Sequence, residues 1–142
     1  MNIEGIINIT GKPGLFKVIS TTNKSIIVES LIDGKRRPIS NQSQVNMLEE
    51  ISLYTYNDTK PLKDIFNNIA LKEKAKQTIN HKISKKDLKN YFREILPEYD
   101  EDRVYISDIK KVIQWYNIMQ SVDLIKIPKN KKENKKEEKD EI

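Results

Sequence analysis

Residues 5–40 constrain the fold more than the rest of the chain does. They alternate short runs of Ile, Val, Leu and Phe with turns made of Gly, Pro, Asn and Asp. This alternation is typical of short strands joined by tight turns. Asp33-Gly34 is the strongest hairpin signal, because both residue types tolerate a positive φ. The pattern predicts strands near residues 3–9, 15–22, 25–32, 35–40 and 50–55.

Five short strands within residues 1–57 match a small SH3-like β-barrel, whose closure protects most sheet edges. We expect one helical turn over residues 41–45, before the fifth strand, with Val45 and Leu48 available to plug an open end. The isoleucine doublets, of which Ile6-Ile7 is the first, break strict alternation of buried and exposed residues. A strongly bent strand buries both neighbours, so the doublets favour a small barrel over a flat sheet.

The hydrophobic period changes to that of helices after residue 57. Asp58 or Thr59 is predicted to cap the first helix, with Pro61 in the first turn, where its missing amide proton costs nothing. The apolar spacing weakens over residues 76–79, where this helix is predicted to end.

Two more helices follow. The second is predicted to begin at Ser84, whose hydroxyl and the Asp87 carboxylate form a capping box, and to end at Pro97. The third is predicted to open at Ser107 or Asp108. Apolar stripes on three short helices must face one another, which gives a compact helical unit.

The chain has 142 residues, no cysteine and a net charge of +5. Without cysteine it has no disulfide or thiolate metal site, which favours a reducing compartment. Its start does not resemble a signal peptide, and no apolar run approaches the roughly 20 residues of a membrane helix. We therefore expect a soluble, cytoplasmic protein. Residues 126–142 are rich in Lys and Glu and predict a disordered tail.

Lys35-Arg36-Arg37 is the best local basic cluster, and it lies on the predicted hairpin beside Lys12 and Lys17. We call these five residues the basic rim. Adjacent cations on a barrel rim are able to grip phosphate oxygens or an acidic protein surface. Exposed turns also carry basic residues by chance, and the sequence leaves both interpretations open.

Trp115 falls on the border of the apolar stripe of the third helix, one turn after Lys110 and Lys111. A border Trp either packs between the two halves of the chain or anchors a protein partner. Packing is the more frequent outcome. These three residues are the candidate protein interface.

Metal and cofactor sites are not expected. His81 is the sole histidine and has no cysteine or second histidine as a partner. The acidic run of residues 98–102 outlines an EF-hand, but Tyr105 stands where glycine is required and Lys111 where the bidentate Glu belongs. A solvated loop is the better interpretation.

Several segments resemble an uncharacterised bacterial family of small proteins that is described by two domains of unknown function. The resemblance covers residues 1–125 and implies an SH3-like barrel and a helical unit. It implies no activity and no site residues. The segments that carry it are residues 4–6, 11–18, 28–31, 33–36, 102–112 and 115–117.

The sequence thus predicts an α+β chain with a barrel over residues 1–57, three helices over 58–125 and a tail over 126–142. The predicted function is a non-enzymatic interaction module whose basic rim binds RNA, DNA or a nucleoprotein complex. The alternative is a protein–protein adaptor or a self-associating structural protein that uses the helical unit. An enzyme is disfavoured because no paired carboxylates, nucleophile–base pair or glycine-rich phosphate loop is recognisable.

Overall fold

The computed structural model describes residues 3–40 and 42–127, and the predicted α+β class is confirmed. Within these residues five strands form one antiparallel sheet in the order β4-β3-β2-β1-β5. The strands are β1 (Ile6–Ile9), β2 (Phe16–Thr21), β3 (Ser25–Ser30), β4 (Arg36–Ser40) and β5 (Val45–Met47).

The predicted helical turn over residues 41–45 is wrong. β5 begins at Val45 and pairs with β1, with Met47 opposite Ile7. Val45 and Met47 are half-buried and Asn46 between them is exposed, which is the period of a strand and not of a helix. A single 3-10 turn follows at Leu48–Glu50.

Two more strands and three helices complete the fold. They are β6 (Ser52–Tyr54), β7 (Thr59–Pro61), α1 (Leu62–Glu73), α2 (Lys85–Ile95) and α3 (Ile106–Ser121). The fifth predicted strand corresponds to β6, which pairs with β7 in a separate sheet and does not extend the first sheet. No helix in residues 3–40 and 42–127 is long and apolar enough to cross a membrane.

The first helix begins later and ends earlier than the sequence predicts. Thr59–Pro61 form β7, so Asp58 and Thr59 do not cap the helix. Pairing with β6 provides hydrogen-bond partners for the backbone N–H and C=O groups of this segment before the helix starts. Lys74 adopts a left-handed φ of 56°, which ends α1 before the predicted residues 76–79.

The starts of the other two helices follow the sequence closely. The Ser84 hydroxyl accepts a hydrogen bond from the Asp87 amide (3.2 Å), which confirms the predicted cap. The reciprocal hydrogen bond of the capping box, in which the Asp87 carboxylate accepts from the Ser84 amide, stays a prediction. α3 begins one residue before Ser107, and the Asp108 carboxylate accepts a hydrogen bond from the Tyr105 amide (2.9 Å).

Two apolar clusters lie on opposite faces of the five-stranded sheet. The main core joins the sheet to the helices and contains Ile3, Ile6, Leu15 and Leu48 together with the apolar faces of α1, α2 and α3. The sheet core is built by strands alone, and its buried members are Ile7, Ile9, Phe16, Val28 and Ile39. Both residues of the Ile6-Ile7 doublet are therefore buried because β1 is covered on both faces, and the strand bend that the sequence suggests stays a prediction.

β4 and β5 are the two edges of this sheet, and no strand pairing within the described residues joins them. Closure into a barrel stays a prediction. The predicted tail begins with Lys126 and Ile127, which lie outside helices and strands. The remainder of that prediction, residues 128–142, lies outside the described residues.

Candidate nucleic-acid interface

The β3–β4 hairpin carries the adjacent cations Lys35–Arg37. Gly34 has a φ of 71°, and its amide donates to the Ser30 carbonyl (2.8 Å), which confirms the turn predicted at this position. A φ of this sign favours glycine. All three cations are exposed. The turn therefore presents three positive charges to solvent at one end of the sheet.

Two of these charges have carboxylate neighbours. The Arg36 Nε lies 3.3 Å from Glu29 Oε1, and the Arg37 Nη2 lies 3.2 Å from Asp33 Oδ2. A hydrogen bond from the Lys35 amide lowers the pKa of Asp33, and the charge of Arg37 lowers it further. Exposed ion pairs add little stability, so a phosphate group is able to compete for either guanidinium.

Lys17 lies on the face of the sheet and not in a turn. It opposes Glu29 on β3, and Glu29 in turn opposes Arg36 on β4. The three side chains form a row of alternating charge across three strands. Lys17 also lines a cavity of about 300 Å³ with Ile6 and Leu31, near the end of α3.

The loop that carries Lys12 lies at the same end of the sheet as the hairpin. The Leu31 amide donates to the Leu15 carbonyl (2.9 Å), which joins the two turns. Ile32 lies so close to Gly14 that a Cβ at residue 14 would stand 2.6 Å from the Ile32 Cδ1. The packing of these loops therefore brings Lys12 to the end of the sheet that carries residues 35–37.

Lys111 of α3 joins this end of the sheet, which the sequence does not reveal. Lys12 and Lys111 line one cavity of about 350 Å³ together with Asn8, Asn46 and Gly11. Asn8 and Asn46 are cross-strand partners on β1 and β5. No local pattern signals this meeting, because it depends on how α3 packs on the sheet.

Trp115 is 8% exposed and belongs to the main core. It lines a small cavity of about 190 Å³ that Lys111, Asn8 and Asn46 also line. Lys110 is half-buried and Lys111 is exposed. The burial of Trp115 agrees with the packing role that its position favours, and a partner contact through these three residues stays a prediction.

Three exposed lysines at this end make no salt bridge in the described part of the chain, although the charge of Lys35 contributes to lowering the pKa of Asp33. Among residues 3–40 and 42–127, no salt bridge includes Lys12, Lys35 or Lys111. Ammonium groups without an internal partner are open to external anions. Each phosphate that such a group neutralises releases counterions and adds affinity.

His81 lines a cavity of about 570 Å³, which Ile32 of the β3–β4 turn also lines. The lining is mostly amide and hydroxyl side chains, namely Gln77, Thr78, Asn80, Gln114, Asn117 and Ser121. In the described part of the chain, no group of three or more His, Asp or Glu side chains is placed to hold a metal ion. The cavity therefore offers hydrogen bonds more than charge.

One wall of this cavity is held by Asn117. Its Oδ1 accepts from the Thr78 amide (2.9 Å), and its Nδ2 donates to the Ile79 carbonyl (3.1 Å). Nearby, the Tyr116 hydroxyl donates to the Lys76 carbonyl (2.8 Å). These bonds attach the α1–α2 connection to α3.

Tyr91 and Tyr116 are the titratable groups beside this wall with the largest shifts. Burial raises the pKa of both hydroxyls to about 12, and the negative charge of Glu73 contributes. Tyr91 also accepts a hydrogen bond from the Thr78 hydroxyl, which opposes the shift. Both hydroxyls therefore stay protonated at neutral pH.

Comparison with known proteins identifies the family to which this chain belongs. Residues 3–48 match a domain of unknown function (DUF5606), and residues 51–119 match a second domain of unknown function (DUF6852). A solution NMR structure of a structural genomics target from Bacteroides vulgatus is 38% identical to this chain. The similarity covers 89% of this chain and 91% of that chain, with a TM-score of 0.74. The chain belongs to this uncharacterised two-domain family. No curated protein matches the chain.

The two domains of the family share one core here. Ile3, Ile6, Leu15 and Leu48 come from the DUF5606 region, and they are buried in the main core with the helices of the DUF6852 region. The two matches meet around the 3-10 turn, before β6. The β6–β7 hairpin is thus part of the DUF6852 match, and the division at residue 57 stays a prediction.

Proposed function

We propose that this chain is a non-enzymatic binding protein whose basic rim, extended by Lys111, binds RNA or DNA, free or in a nucleoprotein complex. The observation that carries the proposal is the convergence of two loops and one helix at a single end of the sheet. Lys12, Lys35 and Lys111 supply charges that make no salt bridge among the described residues. Contacts of this kind bind phosphates without reading sequence.

We also infer that the sheet is the SH3-like barrel expected from the strand pattern. The sheet core supports this inference. Its five buried residues are at most 6% exposed, and all of them come from strands, so no helix covers them. A flat sheet leaves the face without helices open to water, so the strands must curl to cover it. SH3-like barrels occur in many proteins bound to RNA or ribosomes, and this fold analogy supports the proposed binding of nucleic acid.

The non-enzymatic part of the proposal is supported by the sequence, in which no paired carboxylates, nucleophile–base pair or glycine-rich phosphate loop is recognisable. An efficient general acid or base has a pKa near the working pH. Tyr91 and Tyr116 are shifted away from neutrality, to about 12. Their hydrogen bonds and burial fit a role in packing.

Salt-dependent binding tests the proposal. Labelled single-stranded RNA, single-stranded DNA and duplex DNA are each titrated with the full chain, and fluorescence anisotropy gives affinity from about 50 to about 200 mM salt. The triple variant Lys12→Ala, Lys35→Ala, Lys111→Ala removes three exposed cations that make no salt bridge among the described residues. Lys24→Ala is the matched control, because Lys24 is exposed and lies in the β2–β3 turn at the opposite end of the sheet.

The triple variant is expected to reduce the slope of log K against log salt by about 0.7–0.9 for each phosphate that the removed cations neutralise in the unchanged chain. Lys24→Ala is expected to bind as the unchanged chain does. Absence of binding to all three polymers at low salt overturns the proposal. The triple variant removes three charges and the Lys24 variant one, so a reduction in the Lys24 variant that is about one third of that in the triple variant shows that only net charge matters, and also overturns the proposal.

A further inference from the structure

A second surface forms where β6 continues into residues 54–56 and meets the segment before α3. Thr55 and Tyr99 form an isolated antiparallel bridge. The Tyr56 amide donates to the Glu98 carbonyl (3.0 Å), and the Asp100 amide donates to the Tyr54 carbonyl (2.9 Å). Tyr54 thus opposes Asp100, and Tyr56 opposes Glu98.

Burial fixes which side chains point outward. Thr55 and Tyr99 are 8% and 1% exposed, so they face the interior. Tyr54 and Tyr56 are 48% and 59% exposed on the other side. Because cross-strand partners share a face, each tyrosine stands beside a carboxylate. The surface therefore contains two similar aromatic–carboxylate pairs.

The first pair already holds a guanidinium. The Arg103 Cζ lies 5.2 Å from the centroid of the Tyr54 ring, within the range of a cation–π contact. The Arg103 Nε lies 3.6 Å from Asp100 Oδ2. An aromatic face and a carboxylate at this spacing thus accommodate an arginine side chain in this protein.

The second pair repeats the arrangement two residues along and lacks such an occupant. In the described part of the chain, Glu98 takes part in no salt bridge and no cation lies over the Tyr56 ring. Arg93 lies close enough to Tyr56 for the two to interact electrostatically, and its guanidinium donates a hydrogen bond to Glu101. The Tyr56–Glu98 pair is therefore open to a cation from outside.

We propose that Tyr56 and Glu98 form a recognition site for an arginine side chain of a partner protein. The occupied pair beside it identifies guanidinium as the chemistry that fits. The adjoining run of residues 98–102 carries four carboxylates, and Asp100 and Glu101 already pair with arginines of this chain. The other two, Glu98 and Asp102, make no salt bridge among the described residues and favour a basic protein segment over a nucleic-acid backbone. Tyrosine and arginine are also among the residues enriched at binding hot spots. This site uses different residues from the basic rim, and it does not depend on the function proposed for that rim.

An NMR titration tests this site on the full-length chain. The probe is a Gly-Arg-Gly-Arg-Gly peptide, and the control peptide carries citrulline, which has nearly the same shape as arginine and no charge. Amide shifts of the isotope-labelled protein give the binding site and the dissociation constant. The test variants are Tyr56→Leu and Glu98→Gln. The matched controls are Tyr105→Leu, since Tyr105 is 66% exposed, and Glu50→Gln, since Glu50 is exposed on the 3-10 turn.

The arginine peptide is expected to shift the amides of residues 55–57 and of Glu98 and Tyr99, and the citrulline peptide is not. Tyr56→Leu and Glu98→Gln are each expected to weaken binding by about three-fold or more, as for an exposed cation–π contact or ion pair. Equal weakening by the two control variants overturns the proposal, as does the absence of shifts at these amides. A single-stranded oligonucleotide that shifts these amides when the arginine peptide does not also overturns it, and identifies a base-stacking surface instead.

Discussion

Ile6 and Ile7 are neighbours in β1, but they are buried in different cores. Ile6 is 3% exposed in the main core with the helices, and Ile7 is 1% exposed in the sheet core. β1 is therefore a layer that is covered on both faces. Through Ile6 the helices support the sheet whose end carries the basic rim.

We predict that the two isoleucines contribute independently to stability. Ile6→Val and Ile7→Val are each expected to lower the free energy of unfolding by about 0.5–1.5 kcal/mol. The double variant is expected to equal the sum within about 0.5 kcal/mol, because the side chains share no apolar cluster. Urea unfolding of the four proteins measures the coupling. A coupling energy above about 1 kcal/mol would show that the two cores behave as one.

Local sequence patterns predicted the turns and helix caps that depend only on neighbouring residues. The Asp33-Gly34 turn and the Ser84 cap depend on residues within one turn of the chain, and both are observed. The wrong predictions concern segments whose structure depends on pairing with another strand. Val45–Met47 form a strand because β1 offers an open edge, and Thr59–Pro61 do so because β6 lies opposite.

The candidate sites divide in the same way. Residues 35–37 are adjacent in sequence, so their cluster is visible without a structure. The meeting of Lys12 with Lys111 is not visible, because it depends on the packing of α3 against β1 and β5. The second aromatic–carboxylate pair, Tyr56 with Glu98, likewise depends on one bridge between distant segments.

Ser84→Ala is predicted to lower the free energy of unfolding by about 1 kcal/mol, because the alanine leaves the Asp87 amide without its acceptor. Ser107→Ala is the matched control, since Ser107 is exposed in the first turn of α3. It is expected to change stability by less than about 0.5 kcal/mol. Chemical denaturation measures both. Equal effects of the two substitutions would contradict the capping role of Ser84.

Stability is predicted to fall in alkali through Tyr91 and Tyr116. Burial raises their pKa in the folded chain to about 12, above the ordinary value of about 10. The folded state therefore holds protons that the unfolded state has released, and the slope of unfolding free energy against pH is negative in this window. The contribution is fully present below about pH 10 and is lost as the pH rises toward about 12.

Urea midpoints measured from pH 8 to about pH 11.5 check this prediction. The double variant Tyr91→Phe, Tyr116→Phe is expected to have a flatter pH dependence, although lower stability at neutral pH, because both hydroxyls make hydrogen bonds. Tyr105→Phe is the control, since this ring is exposed. If the double variant keeps the original slope, other groups cause the alkaline loss.

Asn117 is predicted to hold the α1–α2 connection against α3. Asn117→Ala removes the acceptor of the Thr78 amide and the donor to the Ile79 carbonyl, so we expect a loss of about 1–3 kcal/mol. Gln114→Ala is the matched control, because Gln114 lines the same cavity from α3. Hydrogen exchange is expected to accelerate at the Thr78 amide in the Asn117 variant only. Unchanged protection at that amide, despite lower global stability, would show that Asn117 acts through general packing and not through these two bonds.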